Sequence, residues 1–310
     1  MWPLINALGP VFLVILLGVA LRRLAFPTFD FWPQLERLVY FVLFPAMLVS
    51  ELATADFSGL AVSRVLLAVV GMLAVMTVVT IVLQPLVSKS GAQFTSVFQG
   101  GMRFNSFIVL AVASELFGSS GLALAAVIMA LMIPLLNVLC VSVFAFYAGD
   151  ERASVLSTVT AIGKNPLILG CVAGIVLNVT GIGLPGWSRL TVEILARSAL
   201  PLGLLAVGVA LNLDALRAGK MPLVYASLLK FVGMPLVAVG FSVWLGLSVQ
   251  EQSVLLLFAA MPTATSAYIL ARQLGGDAPL MAAIITAQTL MAMIILPVVL
   301  FLNQFWFGGY

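Results

Sequence analysis

Long apolar segments, joined by short connections, occupy almost the whole chain. A helix that crosses a bilayer needs about 20 mostly apolar residues. The chain is 63% hydrophobic and 8% charged, whereas soluble domains carry about 25% charged residues. We therefore predict an all-α polytopic membrane protein with ten transmembrane helices, at residues 4–22, 34–53, 60–83, 94–116, 121–147, 165–180, 187–211, 220–246, 253–274 and 278–301.

The lysines and arginines between these segments predict their orientation, because cytoplasmic loops are enriched in both residues. If the N-terminus is outside, nine basic residues lie on the cytoplasmic side and three lie outside, which favours both termini outside. The nine are Arg22, Arg23, Arg37, Lys89, Arg152, Lys164, Arg217, Lys220 and Arg272, and the three are Arg64, Arg189 and Arg197. No basic face remains for a nucleic-acid partner, so we expect none.

The two halves of the chain resemble each other at a nearly constant offset. Pro10 and Gly18 match Pro166 and Gly174, in both cases 156 residues further on. Later matches drift by two or three residues, as small loop insertions would cause. Each half holds five segments, and because five is odd the second half enters the membrane from the opposite side. Inverted repeats of this kind are common in secondary transporters.

The repeat predicts the domain organisation. The first repeat spans residues 1–148 and holds segments 1 to 5, and the second spans residues 165–310 and holds segments 6 to 10. Residues 149–164 form the longest polar stretch, which we expect to be a cytoplasmic linker.

Segments 4 and 9 both carry residues that interrupt a helix. Gly100-Gly101 weakens segment 4 just before Arg103, because glycine loses the most conformational freedom in a helix. Pro262 removes a backbone donor from segment 9, and hydroxyl side chains follow it that can satisfy freed backbone groups. We predict that both segments unwind and cross at the membrane midplane, with the positive ends of the second half-helices pointing to the centre.

Two cations, Arg103 and Lys230, fall near the middle of apolar segments, and we expect no carboxylate at that depth. Ionisable residues inside a membrane are costly and mark substrate or ion pathways, so this pair favours an anionic substrate. Arg103 could instead extend toward the cytoplasm, and Lys230 could brace the broken helices. The candidate substrate-binding residues are Arg103, Asn105, Ser106, Asn137, Lys230, Pro262, Thr263, Thr265, Ser266 and Gln288.

Four stretches of the chain resemble the auxin efflux carrier family, which includes bacterial malate and malonate permeases. They are Arg103-Phe-Asn105, Asn165-Pro166-Leu-Ile-Leu-Gly, Pro201-Leu-Gly-Leu-Leu-Ala-Val-Gly-Val-Ala-Leu and Met261-Pro262-Thr263-Ala264 with Tyr268-Ile-Leu-Ala-Arg272. The family usually has glycine where this chain has Phe104. The resemblance implies a fold similar to that of bile-acid symporters, with segments 1, 2, 6 and 7 as scaffold and segments 3, 4, 5, 8, 9 and 10 as a moving bundle. It also implies carriage of small organic anions across a bacterial inner membrane.

We therefore expect a secondary transporter for a small organic anion, with no cofactor and no metal. The polar residues near the breaks offer oxygens but no acid, which favours uniport or proton coupling over a sodium-coupled symporter. A passive channel and a ligand sensor remain alternatives, and an enzyme is the least favoured one, since histidine is absent and serine chemistry with Lys230 as base lacks a specific motif. The apolar outer faces suit lipid or a second copy of the chain in a homodimer.

Overall fold

The computed structural model describes residues 2–55, 61–88, 90–148, 164–217 and 220–308, and every regular element in these ranges is a helix. All of the predicted linker except Lys164 lies outside them. The first-half helices are α1 (Trp2–Arg23), α2 (Phe31–Leu38), α3 (Phe44–Ala53), α4 (Val62–Val82), α5 (Gln84–Val87), α6 (Gly91–Met102) and α7 (Ser106–Tyr147). The second-half helices are α8 (Pro166–Val179), α9 (Gly186–Ala210), α10 (Lys220–Leu228), α11 (Met234–Trp244), α12 (Val249–Ala259), α13 (Ser266–Gln273) and α14 (Ala278–Phe307).

Several of these helices continue one another. A π-helical turn at Val39–Leu43 joins α2 to α3, and another at Leu229–Gly233 joins α10 to α11. Gly118 kinks α7 with a positive φ of 62°, which divides it where the sequence predicts a connection between segments 4 and 5. Five helical stretches in the described ranges are long and apolar enough to cross a membrane, namely Val62–Val82, Gly91–Tyr147, Gly186–Ala210, Met221–Trp244 and Ala278–Phe307.

Helices α1, α3, α8 and α9 pack tightly together, with α3 against α8 and α1 against α9 as the most extensive contacts. Glycines allow this approach. A Cβ atom at Gly18 would collide with the backbone of Leu205 and Gly208, and one at Gly174 would collide with Leu52 and crowd Val49. Side chains larger than a hydrogen atom therefore do not fit at these two crossings.

The remaining long helices form a second packed group. Helix α4 contacts α11, α6 contacts α7 and α10, and α12 contacts α7 and α11. Most of the α12 residues are completely buried, including the polar Gln252 and Ser253. Asn303 of α14 satisfies both of these groups, since it accepts a hydrogen bond from Gln252 and donates one to Ser253. The two groups of helices meet along α7 and α14, and the interrupted segments lie close to this boundary.

Candidate functional site

The two segments that the sequence predicts to be broken are interrupted in the structure. Helix α6 ends at Met102 and α7 begins at Ser106, while α12 ends at Ala259 and α13 begins at Ser266. The breaks touch each other, since the backbone N–H of Asn105 donates to the carbonyl oxygen of Pro262 over 2.8 Å. Pro262 thus contributes a carbonyl group that links the breaks. The crossing of the two segments at the membrane midplane stays a prediction.

Thr263 and Gln288 hold the breaks together. The carbonyl oxygen of Gly100, near the end of α6, accepts hydrogen bonds from Thr263 Oγ1 and from Gln288 Nε2, each over 2.9 Å. The Gln288 Oε1 atom in turn accepts from the backbone N–H of Thr263 over 3.0 Å. Both side chains are fully buried, and their polar groups are engaged with the breaks in this conformation.

Arg103 lies in a cavity of about 110 Å³ that we call the arginine cavity. Its guanidinium donates to Asn137 Oδ1 over 3.3 Å and to Ser266 Oγ over 3.4 Å. Both acceptors are neutral and both bonds are long, and among the described residues no carboxylate forms an ion pair with Arg103. The polar residues that line the cavity are Tyr40, Arg103, Ser106, Asn137, Asn165 and Ser266.

Three helix N-termini converge on the arginine cavity. Helices α7, α8 and α13 begin at Ser106, Pro166 and Ser266, and each of these starts lies at or next to a residue of the cavity wall. The N-terminus of a helix carries a partial positive charge and favours anions. The local field therefore has the same sign as the charge of Arg103.

Asparagines cap two of these helices. Asn105 Oδ1 accepts from the backbone N–H groups of Phe107 and Ile108, and Asn165 Oδ1 accepts from those of Leu167 and Ile168. The two side-chain nitrogens differ, however. Asn165 Nδ2 donates to the Tyr40 hydroxyl over 3.2 Å, whereas the buried Asn105 Nδ2 has no hydrogen-bond partner among the described residues. An unsatisfied buried donor is costly, so the Asn105 amide favours a hydrogen-bond acceptor that the described residues do not supply in this conformation.

That no carboxylate lies at the depth of Arg103 and Lys230 stays a prediction, but a carboxylate does lie beside the break in segment 9. Glu36, in α2, reaches the break in segment 9, where Thr265 Oγ1 donates to its Oε1 atom over 3.4 Å. It lines a small cavity of about 60 Å³, the glutamate cavity, together with Tyr40, Asn105, Ser106, Thr265 and Ser266. Glu36 also lines a cavity of about 570 Å³, the large cavity, together with Arg22, Asn212, Thr265 and Tyr268.

Lys230 lies apart from these cavities. Its side chain is fully buried, at the π-helical turn between α10 and α11. The Nζ atom has no hydrogen-bond partner among the described residues, so neither a backbone carbonyl brace nor a contact with the arginine cavity is present in this conformation. Its role in binding an anion stays a prediction.

The sequence interpretation did not include Glu36, Tyr40 or Asn165 in the site. Asn165 carried a usable signal, because asparagine followed directly by proline is typical of a helix start. The positions of Glu36 and Tyr40 depend on how two distant segments pack, for which the local pattern holds no signal. Arg103, Asn105, Ser106, Asn137, Thr265 and Ser266, which the sequence did predict, line one or more of the three cavities.

Comparison with known proteins agrees with a transport role. Residues 151–300 match a protein family described as membrane transport protein. An uncharacterized transporter of Methanothermobacter thermautotrophicus is 26% identical over 293 residues, which cover 93% of this chain and 94% of that protein. Together with the apolar helices, these similarities support a multi-pass membrane transporter.

Proposed function

We propose that the chain is a secondary carrier that binds the carboxylate of a small organic acid in the arginine cavity and moves it by alternating access. The observation that carries this proposal is the Arg103 guanidinium, which lines a cavity and whose hydrogen-bond acceptors among the described residues are neutral, at 3.3 and 3.4 Å. Arginine binds carboxylates through paired hydrogen bonds that are stronger than those between neutral groups. A substrate carboxylate would supply the counter-ion that the described residues do not.

The surroundings of Arg103 favour an anion for two further reasons. The positive ends of α7, α8 and α13 face the same region, and the free Nδ2 donor of Asn105 lies two residues from Arg103. Ser106, Asn137 and Ser266 add neutral groups that orient a ligand without repelling it.

The packing supports a division into moving parts. We propose that α1, α2, α3, α8 and α9 form the scaffold and that α4, α6, α7, α10, α11, α12, α13 and α14 form the transport bundle. The scaffold contacts follow the repeat, because the offset of 156 residues that relates Gly18 to Gly174 also relates its neighbours Leu205 and Gly208 to Val49 and Leu52. Equivalent contacts at one offset support an inverted repeat of five helices per half.

The large cavity supports a proposal for which side of the carrier is open. It is lined by residues near the end of α1 and the beginning of α14, including Arg22 and Pro279, and the charge pattern places these two ends in the cytoplasm. Its wall also includes Thr265 and Tyr268 beside the break in segment 9. We propose an inward-facing conformation of an inner-membrane protein with both termini outside. Whether two copies assemble into a homodimer is a separate proposal that the apolar outer faces allow.

Transport by purified protein in liposomes tests the proposal. We expect saturable uptake of one or more radiolabelled short carboxylic acids, and faster uptake when the same unlabelled acid is loaded inside, as a carrier requires. Uptake without saturation or counterflow would indicate a channel, and binding without uptake would indicate a sensor. Replacing sodium by choline in the same assay tests cation coupling, since the carboxylate of Glu36 removes the reason for disfavouring sodium.

A further inference from the structure

Arg103 and Glu36 have side chains of opposite charge, and they form hydrogen bonds with two adjacent residues of the same break. Ser266 Oγ is 3.4 Å from the Arg103 guanidinium, and Thr265 Oγ1 is 3.4 Å from the Glu36 carboxylate. Consecutive Cα atoms are about 3.8 Å apart. One short stretch of backbone therefore brings a cation and an anion within the reach of a single small molecule.

The cavities beside these two groups share part of their walls. Tyr40, Ser106, Ala264 and Ser266 line both the arginine cavity and the glutamate cavity. The buried Asn105, whose Nδ2 donor is unpartnered among the described residues, lines the glutamate cavity. A ligand that spans the shared wall would meet Arg103 at one end and Glu36 at the other, with the Asn105 side chain in the wall of the glutamate cavity.

Within the described residues neither Arg103 nor Glu36 forms an ion pair. The ion pair present there joins Arg189 to Glu193. Arg22 shares the large cavity with Glu36, but its guanidinium donates to the backbone carbonyl oxygens of Val209 and Leu211. The Glu36 carboxylate accepts only the hydroxyl of Thr265 among the described groups. The glutamate end of the site is thus suited to a group that donates hydrogen bonds and carries positive charge.

We propose that the substrate is an amino acid, with its carboxylate at Arg103 and its ammonium group at Glu36, rather than a dicarboxylate. This inference rests on the carboxylate carrier proposed above and names its substrate class. An ammonium group offers three donors and no acceptor, which complements a carboxylate beside a neutral hydroxyl. A second carboxylate in the same place would face Glu36 as a like charge, and like charges in close contact oppose binding.

Binding affinities of paired ligands test this proposal. Each pair has the same number of carbon atoms, from two to six, and joins one carboxylate either to an ammonium group or to a second carboxylate, as in 4-aminobutyrate and succinate. Binding is measured by calorimetry at pH 8, where an ordinary glutamate is ionised, on the wild type, on Glu36→Gln and on Glu115→Gln. Glu115 is an exposed acid and serves as the matched control.

We expect at least one amino acid to bind the wild type and Glu115→Gln ten-fold or more tightly than its dicarboxylate partner. Glu36→Gln should remove that preference while it still binds carboxylates. The proposal is overturned if any dicarboxylate binds the wild type at least as tightly as the tightest-binding amino acid does. It is also overturned if the preference for the amino acid survives in Glu36→Gln. Sodium binding that depends on Glu36, without amino acid binding, would also overturn it. If no acid of any kind binds, the carboxylate carrier itself is wrong.

Discussion

The glycine crossings of the proposed scaffold and the broken segments of the proposed transport bundle are two opposite solutions to helix contact. At Gly18, Gly174 and Gly208 the backbones approach so closely that no Cβ atom fits. At the breaks, three cavities separate polar side chains, and the buried Nδ2 donor of Asn105 has no hydrogen-bond partner in the part of the chain that the structure describes.

The difference indicates which contacts stay and which change. A close-packed crossing has one low-energy arrangement, and any displacement loses favourable van der Waals contacts and raises the energy. The breaks hold polar groups that can exchange partners between the protein and a ligand. We therefore expect the scaffold crossings to remain fixed during transport, while the bundle and its breaks move past them.

The largest effect should come from adding one methyl group to a scaffold crossing. Gly208→Ala places a Cβ atom against the carbonyl oxygen of Ile15. Backbone atoms cannot move aside as a side chain would, so we expect destabilisation beyond the roughly 1–3 kcal/mol of ordinary overpacking. Thermal unfolding of the purified protein measures it.

Gly240→Ala is the matched control, because Gly240 also lies in a helix and a Cβ atom there meets nothing within 4 Å. Alanine is the better helix former, so this variant should be as stable as the wild type or slightly more stable. Equal melting temperatures for the two variants would show that the Gly208 crossing is not tightly packed.

A smaller but still large effect is expected at the arginine cavity. Hydrogen bonds to charged groups contribute about 1.5–3 kcal/mol, so Arg103→Gln should raise the dissociation constant of a transported acid by roughly 10- to 100-fold. Uptake in liposomes should fall in parallel, while the melting temperature without ligand stays close to that of the wild type. Arg197→Gln, at an exposed position, should leave uptake unchanged. Unaltered uptake by Arg103→Gln would remove Arg103 from the site.

Lys230 offers a test in the opposite direction. Its amine is fully buried without a hydrogen-bond partner among the described residues. Lys230→Met keeps most of the apolar length of the side chain and removes the desolvated polar group, so we expect a gain of about 1–3 kcal/mol in stability. Differential scanning calorimetry of the wild type and of Lys230→Met measures this gain in stability. A loss of stability, or a loss of acid binding, would show that Lys230 finds a partner in another conformation.

The two asparagine caps provide the finest test. Serine is an equally good helix cap, but it lacks the amide nitrogen. Among the described residues Asn105 Nδ2 has no hydrogen-bond partner, whereas Asn165 Nδ2 donates to the Tyr40 hydroxyl. Asn105→Ser should therefore weaken acid binding by about 0.5–1.5 kcal/mol and leave stability nearly unchanged. Asn165→Ser should lower stability instead. The same pattern in both variants, measured by calorimetry and thermal unfolding, would contradict the distinction.

The sequence predicted the breaks because their causes are local. Gly100 and Gly101 weaken one helix, and Pro262 interrupts the other whatever surrounds it. Thr263 and Gln288 lie beside the breaks, but their hydrogen bonds to Gly100 depend on the packing of three separate segments, and their predicted role in substrate binding stays a prediction. Glu36 was missed for the same reason, since hydropathy gives the depth of a residue along its own helix and not the neighbour that its side chain reaches.

The most direct measurement is the thermal stabilisation of purified protein by short carboxylic acids and by their uncharged amides. A ligand that binds only the folded state raises the melting temperature, and at one ligand concentration a tighter ligand raises it more. We predict that at least one acid stabilises the wild type while its amide does not, and that Arg103→Gln loses this difference. Equal shifts with acid and amide, or an acid shift that persists in Arg103→Gln, would contradict a carboxylate site at Arg103.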